Sequence, residues 1–148
     1  MATSQKLKID NEALAEEFFE DSMLLGIVAP VNDYHFVWQI NQLLGIHFKV
    51  NNDLEIQLKK KQREYFFPVY EYPLPSVKLV HYLYNNQNDG EYLLPEFKHL
   101  DFLWLLKGEA VSAEDLQWLM QSIRLIPGVQ LVTEMTSEKI KNKQHLIL

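Results

Sequence analysis

Glu96, His99 and Asp101 are the residues whose types and spacing come nearest to chemistry. Pro95 suits the first position of a helical turn, where its missing N–H is not needed. On such a turn Glu96 and His99 stand three apart and face one another, and a carboxylate paired with an imidazole is general-base geometry. The same carboxylates have a plainer use. Glu96 or Asp101 accepting backbone N–H bonds would pin a tight connection between two strands. The pinning role is preferred, because nothing nearby supplies a nucleophile or an oxyanion hole, and no catalytic residue is assigned.

The other chemistry-bearing residues are dispersed. His35, His47, His81 and His145 show no His-x-x-x-His spacing, and a metal site needs at least three converging ligands, so no metal is expected. The chain has no Cys, which removes thiolate catalysis, disulfides and Cys-based metal centres. Five Gly in total form no Gly-x-Gly-x-x-Gly, P-loop or Gly-x-Ser-x-Gly, so no cofactor is expected either.

Lys59, Lys60, Lys61 and Arg63 make the one basic run, and Tyr65-Phe66-Phe67 follows it. Cations beside aromatics suit single-stranded nucleic acid, where bases stack on rings and phosphates meet lysines. The plainer reading is a charged hairpin tip that keeps a sheet edge soluble. Fourteen Lys+Arg against twenty Asp+Glu, a net charge of −6, favour the plainer reading. A second aromatic set, Tyr70, Tyr72, Tyr82 and Tyr84, falls in β-rich text. If half of its rings lie on an open sheet face they form a patch of the kind that marks a protein partner or self-association.

The elements that must position these groups are legible by period. At 148 residues, 47% hydrophobic and 23% charged, the chain suits one globular domain spanning 1–148. No apolar run approaches a membrane span and the N-terminal residues lead into no signal-peptide core, so a cytoplasmic setting is expected. Gln5 to Asp10 reads as a strand and Asn11 to Asp21 as an acidic amphipathic helix. Met23 to Ala29 reads as a buried strand closed by Pro30. Asn32 or Asp33 caps a helix with a stripe of Phe36, Val37, Ile40, Leu43 and Leu44, ended by Gly45, and Ile46 to Val50 returns as a strand. Residues 54–58, 65–72, 77–84 and 91–94 read as a β-meander, broken at Pro68 and turned at Asp89-Gly90. Asp101 to Lys107 is apolar enough for a central strand. Ser112 caps a helix carrying Leu116, Leu119, Met120 and Ile123, with Trp104 and Trp118 assigned to the core. Val129 to Met135 follows as a strand, then a short helix capped by Thr136 or Ser137. The expected class is α+β, a two-layer domain with a mixed, mostly antiparallel sheet in which two strand–helix–strand units flank the meander.

Leu94-Pro95-Glu96-Phe97-Lys98-His99-Leu100-Asp101-Phe102 resembles the signature of a bacterial family named for its IPExxxVDY motif. The resemblance extends to Lys6-Leu7-Lys8-Ile9-Asp10, Leu25-Gly26-Ile27, Asp33-Tyr34, Asp53-Leu54-Glu55 and Ile126-Pro127-Gly128-Val129. Pro95, Glu96 and Asp101 match the motif, whereas Leu94, Leu100 and Phe102 replace Ile, Val and Tyr. Phe102 removes any role for a phenol hydroxyl at that position. The resemblance implies a fold shared across the family and no particular activity.

The functional expectation is a small non-enzymatic domain that binds a protein partner or a second copy of itself, through tyrosines that offer apolar rings and hydrogen-bonding tips. The alternatives are nucleic-acid binding through Lys59 to Arg63 and a small enzyme centred on Glu96, His99 and Asp101.

Overall fold

The computed structural model describes residues 13–108 and 111–148, so the expected strand at Gln5–Asp10 lies outside the described residues. A short helix, α1, covers residues 13–20 and turns Ala15, Phe18 and Phe19 inward, leaving Leu14 exposed. Strand β1 (Ser22–Val28) follows, then α2 (Asp33–Leu44). Asn32 caps α2 by accepting the His35 N–H at 3.0 Å, and Gly45 ends it at φ 67. The remaining elements are β2 (Lys49–Val50), β3 (Ile56–Lys60), β4 (Arg63–Phe67), β5 (Val69–Leu74), β6 (Leu79–Asn85), β7 (Gln87–Asn88), β8 (Glu91–Tyr92), β9 (Phe102–Gly108), α3 (Ala113–Arg124) and β10 (Leu131–Met135).

Six strands form the main sheet in the order β10-β1-β9-β6-β5-β2, each pair antiparallel. The class is α+β, as the patterns indicate, and the described main sheet carries no parallel pair, so the antiparallel character expected of most of it extends to all six strands. The strand–helix–strand units are wider than a simple crossover: β1 inserts between β9 and β10, and β2 lies at the far edge from β10. Successive side chains alternate faces. Along β9, Phe102, Trp104 and Leu106 meet the helices while Leu103 and Leu105 face the other way. Both sides of β9 are buried, which is why its text is apolar without alternation.

The helix side is covered by Phe36, Val37 and Ile40 of α2 and by Leu116, Leu119, Met120 and Ile123 of α3. The opposite face is covered as well, beyond the two layers the patterns suggested. Ile56 and Phe67 of the β3–β4 hairpin, Leu93, Leu94 and Leu100, and the C-terminal residues Ile140 and Leu146 pack there. Gly26 makes room for this cover, since a Cβ on it would stand 2.6 Å from a Leu100 methyl.

The meander is rearranged, for local reasons. Pro68 has no N–H to give a ladder, so the chain leaves the separate β3–β4 hairpin there and enters the main sheet. The β7–β8 hairpin turns through Asp89 and Gly90, both at positive φ, but pairs only with itself, and β6 takes β9 as its neighbour instead. The strand expected at Ile46 to Val50 shrinks to two residues. Asn41 binds both backbone groups of Phe48, with Oδ1 accepting its N–H at 2.9 Å and Nδ2 donating to its carbonyl at 3.1 Å. Residues 137–139 and 143–146 are short 3₁₀ turns rather than one helix.

Candidate functional site

The structure separates Glu96, His99 and Asp101 and gives each carboxylate a backbone partner. Pro95 opens a 3₁₀ turn over Pro95–Phe97. From it Glu96 reaches the C-terminal segment. Its Oε2 accepts the N–H groups of Lys141 at 2.6 Å and Asn142 at 2.9 Å, and its Oε1 accepts from the Asn142 side chain at 2.8 Å. Burial pushes the Glu96 carboxyl up, but the hydrogen bonds from Asn142, from its own amide and from Lys141 together hold it below the usual range. Asp101 Oδ2 accepts the Ala29 N–H at 2.8 Å, tying the start of β9 to the chain leaving β1. His99 is exposed, with its ring 6.2 Å from that of Phe97. Neither a Glu96–His99 nor a His99–Asp101 hydrogen bond forms among the described residues, and no three His, Asp or Glu side chains converge there.

The residue that organises this segment stands in the polar run Asn85-Asn86-Gln87-Asn88-Asp89-Gly90, whose composition suits a loop. Asn86 is fully buried. Its Nδ2 donates to the carbonyls of Phe97 at 3.0 Å and Leu100 at 2.9 Å, and its Oδ1 accepts the Leu94 N–H at 2.9 Å. Its backbone N–H donates to the Asp101 carbonyl, and its own carbonyl accepts the Leu93 N–H. Tyr84, one residue pair away, donates from its hydroxyl to the Leu146 carbonyl at 2.7 Å. The ends of β1, β6 and β9 and the C-terminal segment therefore meet at one node.

The four tyrosines do not share a surface. Tyr70 and Tyr72 pair with Leu83 and His81 and face the helices, while Tyr82 and Tyr84 alternate to the opposite side. Tyr84 is fully buried, and Tyr70 donates to Asp33 Oδ2 at 2.9 Å. Tyr70, Tyr72 and Tyr82 are half-buried and lie on two faces, so the four rings do not form one open aromatic face.

The basic run sits at the β3–β4 turn, where Lys61 and Gln62 both take positive φ. Lys60 pairs with Glu91 at 3.0 Å, and Arg63 pairs with Asp89 while lying over the Tyr65 ring at 4.9 Å. Lys59 and Lys61 remain exposed, Lys59 opposite Glu64 across the hairpin. Two of the four cations thus already have acidic partners.

The concave site lies elsewhere, at the corner where the helix layer stops short of the β5–β6 turn. A cavity of about 450 Å³ opens there, with Tyr72 and His81 from the strands, Leu44 at the end of α2, Ile46 just beyond it, and Trp118 and Leu119 of α3 among its walls. Trp118, assigned to the core by its apolar neighbours, is 64% exposed on the rim. Its spacing from Leu116, Leu119 and Met120 places it one step off the buried stripe. Asp115 adds one exposed carboxylate to the rim.

His81 is 7% exposed and the most chemically distinctive residue of this corner. Its Nδ1 lies 2.9 Å from the Trp104 indole nitrogen, which can only donate, so Nδ1 carries the lone pair and Nε2 the proton. Burial lowers its pKa from 6.5 to about 4. The unfolded chain binds this proton below pH 6.5, whereas the folded chain resists it until about pH 4. Stability is therefore full above the higher value and falls as pH drops through the window, by roughly 3 kcal/mol. Urea unfolding across that range is expected to show the fall in wild type and a much flatter profile in His81→Phe. Equal pH slopes in the two proteins would refute the assignment. Glu91 and Glu96, both held below the usual carboxylate range, add their losses at lower pH.

The fold and the corner define an α+β domain with a node of buried backbone hydrogen bonds on one side and an apolar cavity on the other. No protein-family model matches the chain, and no curated protein is significantly similar to it. No described helix is long and apolar enough to cross a membrane.

Proposed function

We propose that this is a small non-enzymatic binding domain whose binding site is the cavity at the α3 and β5–β6 corner. The observation that carries the reading is a 450 Å³ apolar cavity with an exposed indole, Trp118, on its rim. The volume falls in the range of small-ligand sites, and few polar groups converge on it. The larger depression of about 630 Å³ beside α1 is a weaker candidate, because exposed Glu17, Glu20 and Asp21 line it. Titration with the uncharged dye N-phenyl-1-naphthylamine tests the reading. Dye emission should rise and saturate with wild type, and Trp118→Ala should weaken binding about tenfold with unchanged thermal stability, as expected for an exposed side chain. Absence of saturable binding, or equal binding by Trp118→Ala, would overturn it.

The Pro95, Glu96 and Asp101 motif has, on this reading, a structural task, and membership of the IPExxxVDY-motif family is proposed with it. A bacterial, cytoplasmic setting belongs to the same proposal and rests on the sequence string. Glu96→Ala is expected to lower stability by about 2 kcal/mol through the lost charge-assisted bonds. It should also open Lys141 and Lys143 to trypsin at protein concentrations where wild type resists. Unchanged proteolysis would refute the structural task.

A protein partner or a second copy of the chain is the second reading. The exposed side chains of Tyr34, Trp38 and Leu43 on α2 favour it. Sedimentation equilibrium of wild type against Trp38→Ser tests self-association there. Nucleic-acid binding draws less support, since Lys60 and Arg63 are paired with acids.

A further inference from the structure

We propose that the corner cavity selects an uncharged, largely apolar small molecule bearing one hydrogen-bond acceptor, such as a ketone, which takes the free ring proton of His81. The inference rests on the reading of this corner as a binding site and names the chemistry it would accept. A fixed donor that opens onto a cavity can exchange water for an acceptor on a ligand. His81 offers such a donor, since Gln39 Oε1 is the one sealed side-chain atom without a partner among the described residues and the His81 Nε2–H is reachable from the cavity. One ring nitrogen is used by Trp104, and the other, Nε2–H, has no partner among the described residues. The same residue is 93% buried by complement of its 7% exposure and lines the cavity.

The surroundings define the rest of the ligand. Tyr72 lies against His81 with ring centroids 5.8 Å apart, and Phe48 and Trp104 back the imidazole at 6.5 and 5.8 Å. These rings hold the imidazole in place, so its N–H is preorganised rather than recruited on binding. Leu79 and Leu106 supply apolar walls, and Trp118 a flat aromatic flank. Among the described residues no Lys or Arg lines the cavity, and the one charged lining residue is Asp115. A carboxylate or phosphate would therefore lose its hydration for neutral donors alone, the His81 N–H and the Tyr72 hydroxyl, near a like charge, which disfavours anions. An acceptor on a compact apolar body meets every feature of the site.

The test compares the naphthyl ketone prodan with its counterpart in which the carbonyl is reduced to methylene. Wild type should bind the ketone about fivefold to tenfold more tightly, the fold-change expected of one net hydrogen bond. In His81→Phe the preference should fall to near unity. His81→Gln, which keeps an acceptor for Trp104 and a donor for the ligand, should retain part of it. Should His81→Phe fail to fold, the ring resonances of wild type decide. The His81 Nε2–H proton should move downfield with the ketone and stay in place with the methylene analogue. Equal binding of the two probes by wild type would overturn the His81 assignment while leaving the cavity a binding site. Binding of neither probe would overturn the cavity reading itself. If Trp118→Ala also abolished self-association in that case, the corner would belong to a second copy of the chain.

Discussion

Asn86→Ala is expected to remove about 4 kcal/mol of stability. Two groups lose their side-chain partner inside the fold, the Leu94 N–H and the Leu100 carbonyl, whereas the Phe97 carbonyl keeps the Leu100 N–H. Each buried polar group left unpaired costs about 1–3 kcal/mol, and the missing amide adds a small void. Against a domain stability of roughly 5–15 kcal/mol the loss is a large fraction. A fall in melting temperature of roughly 10 °C follows from the size of the chain. Asn86→Asp separates the two halves of the argument. The carboxylate keeps the acceptor for Leu94 but turns oxygen toward two carbonyls, so this variant should be weakest at neutral pH and recover as the acid protonates. Gln87→Ala, one residue on and exposed, should stay within about 0.5 kcal/mol of wild type. A melt of Asn86→Ala that overlays the Gln87→Ala melt would refute the node.

Gly108→Ala is expected to be at least as damaging, for reasons of backbone rather than hydrogen bonding. Gly108 ends β9 opposite Leu79 with φ 134, a conformation that side chains rarely adopt. A Cβ there would stand 2.0 Å from the Lys78 carbonyl oxygen, and a main-chain atom cannot swing aside as a side chain can. Strain of about 1–3 kcal/mol for the dihedral alone, plus displacement of the strand pair, gives an expected loss of roughly 4 kcal/mol. Gly26→Ala makes the contrast. Its new methyl would meet the Leu100 side chain, which can rotate, so a smaller loss is expected. Denaturant unfolding of the two variants side by side checks the ordering, and Gly26→Ala proving the more damaging would refute it.

The elements with a strong period were legible from residues alone. The α2 stripe at Phe36, Val37 and Ile40, its Asn32 and Gly45 caps, the Ser112 cap of α3 and the continuous apolar run of β9 are all consequences of local rules. Each depends on neighbours within about one turn of helix or a few residues of strand. Leu43, expected on that stripe, is instead 58% exposed, because the sheet ends before the last turn of α2 reaches it. The candidate site was not legible to the same degree. His81 reads as one alternating residue of a strand, and its place beside Trp104 depends on a pairing between residues 23 positions apart. Trp118 lies one position outside the buried stripe of its helix, and an apolar run does not distinguish the rim of a cavity from the core. Asn86 looks like loop chemistry because Asn-Asn-Gln-Asn-Asp-Gly is turn text; its burial follows from Leu93, Leu94 and Leu100 folding over it.

The sequence by itself therefore determined the α+β class, the helices with their caps, the central apolar strand and the absence of thiol or glycine-loop chemistry, because these depend on composition and short-range periodicity. Only the tertiary structure decided that Tyr70 and Tyr72 part from Tyr82 and Tyr84 across two covered faces. It also decided that Glu96 and Asp101 accept hydrogen bonds from backbone amides, and that His81 has an N–H without a partner among the described residues at the wall of a cavity. Those outcomes depend on strand order and on how far two 12-residue helices reach across a six-stranded sheet. Such long-range pairings leave no period in the chain, because the residues that meet are separated by tens of positions.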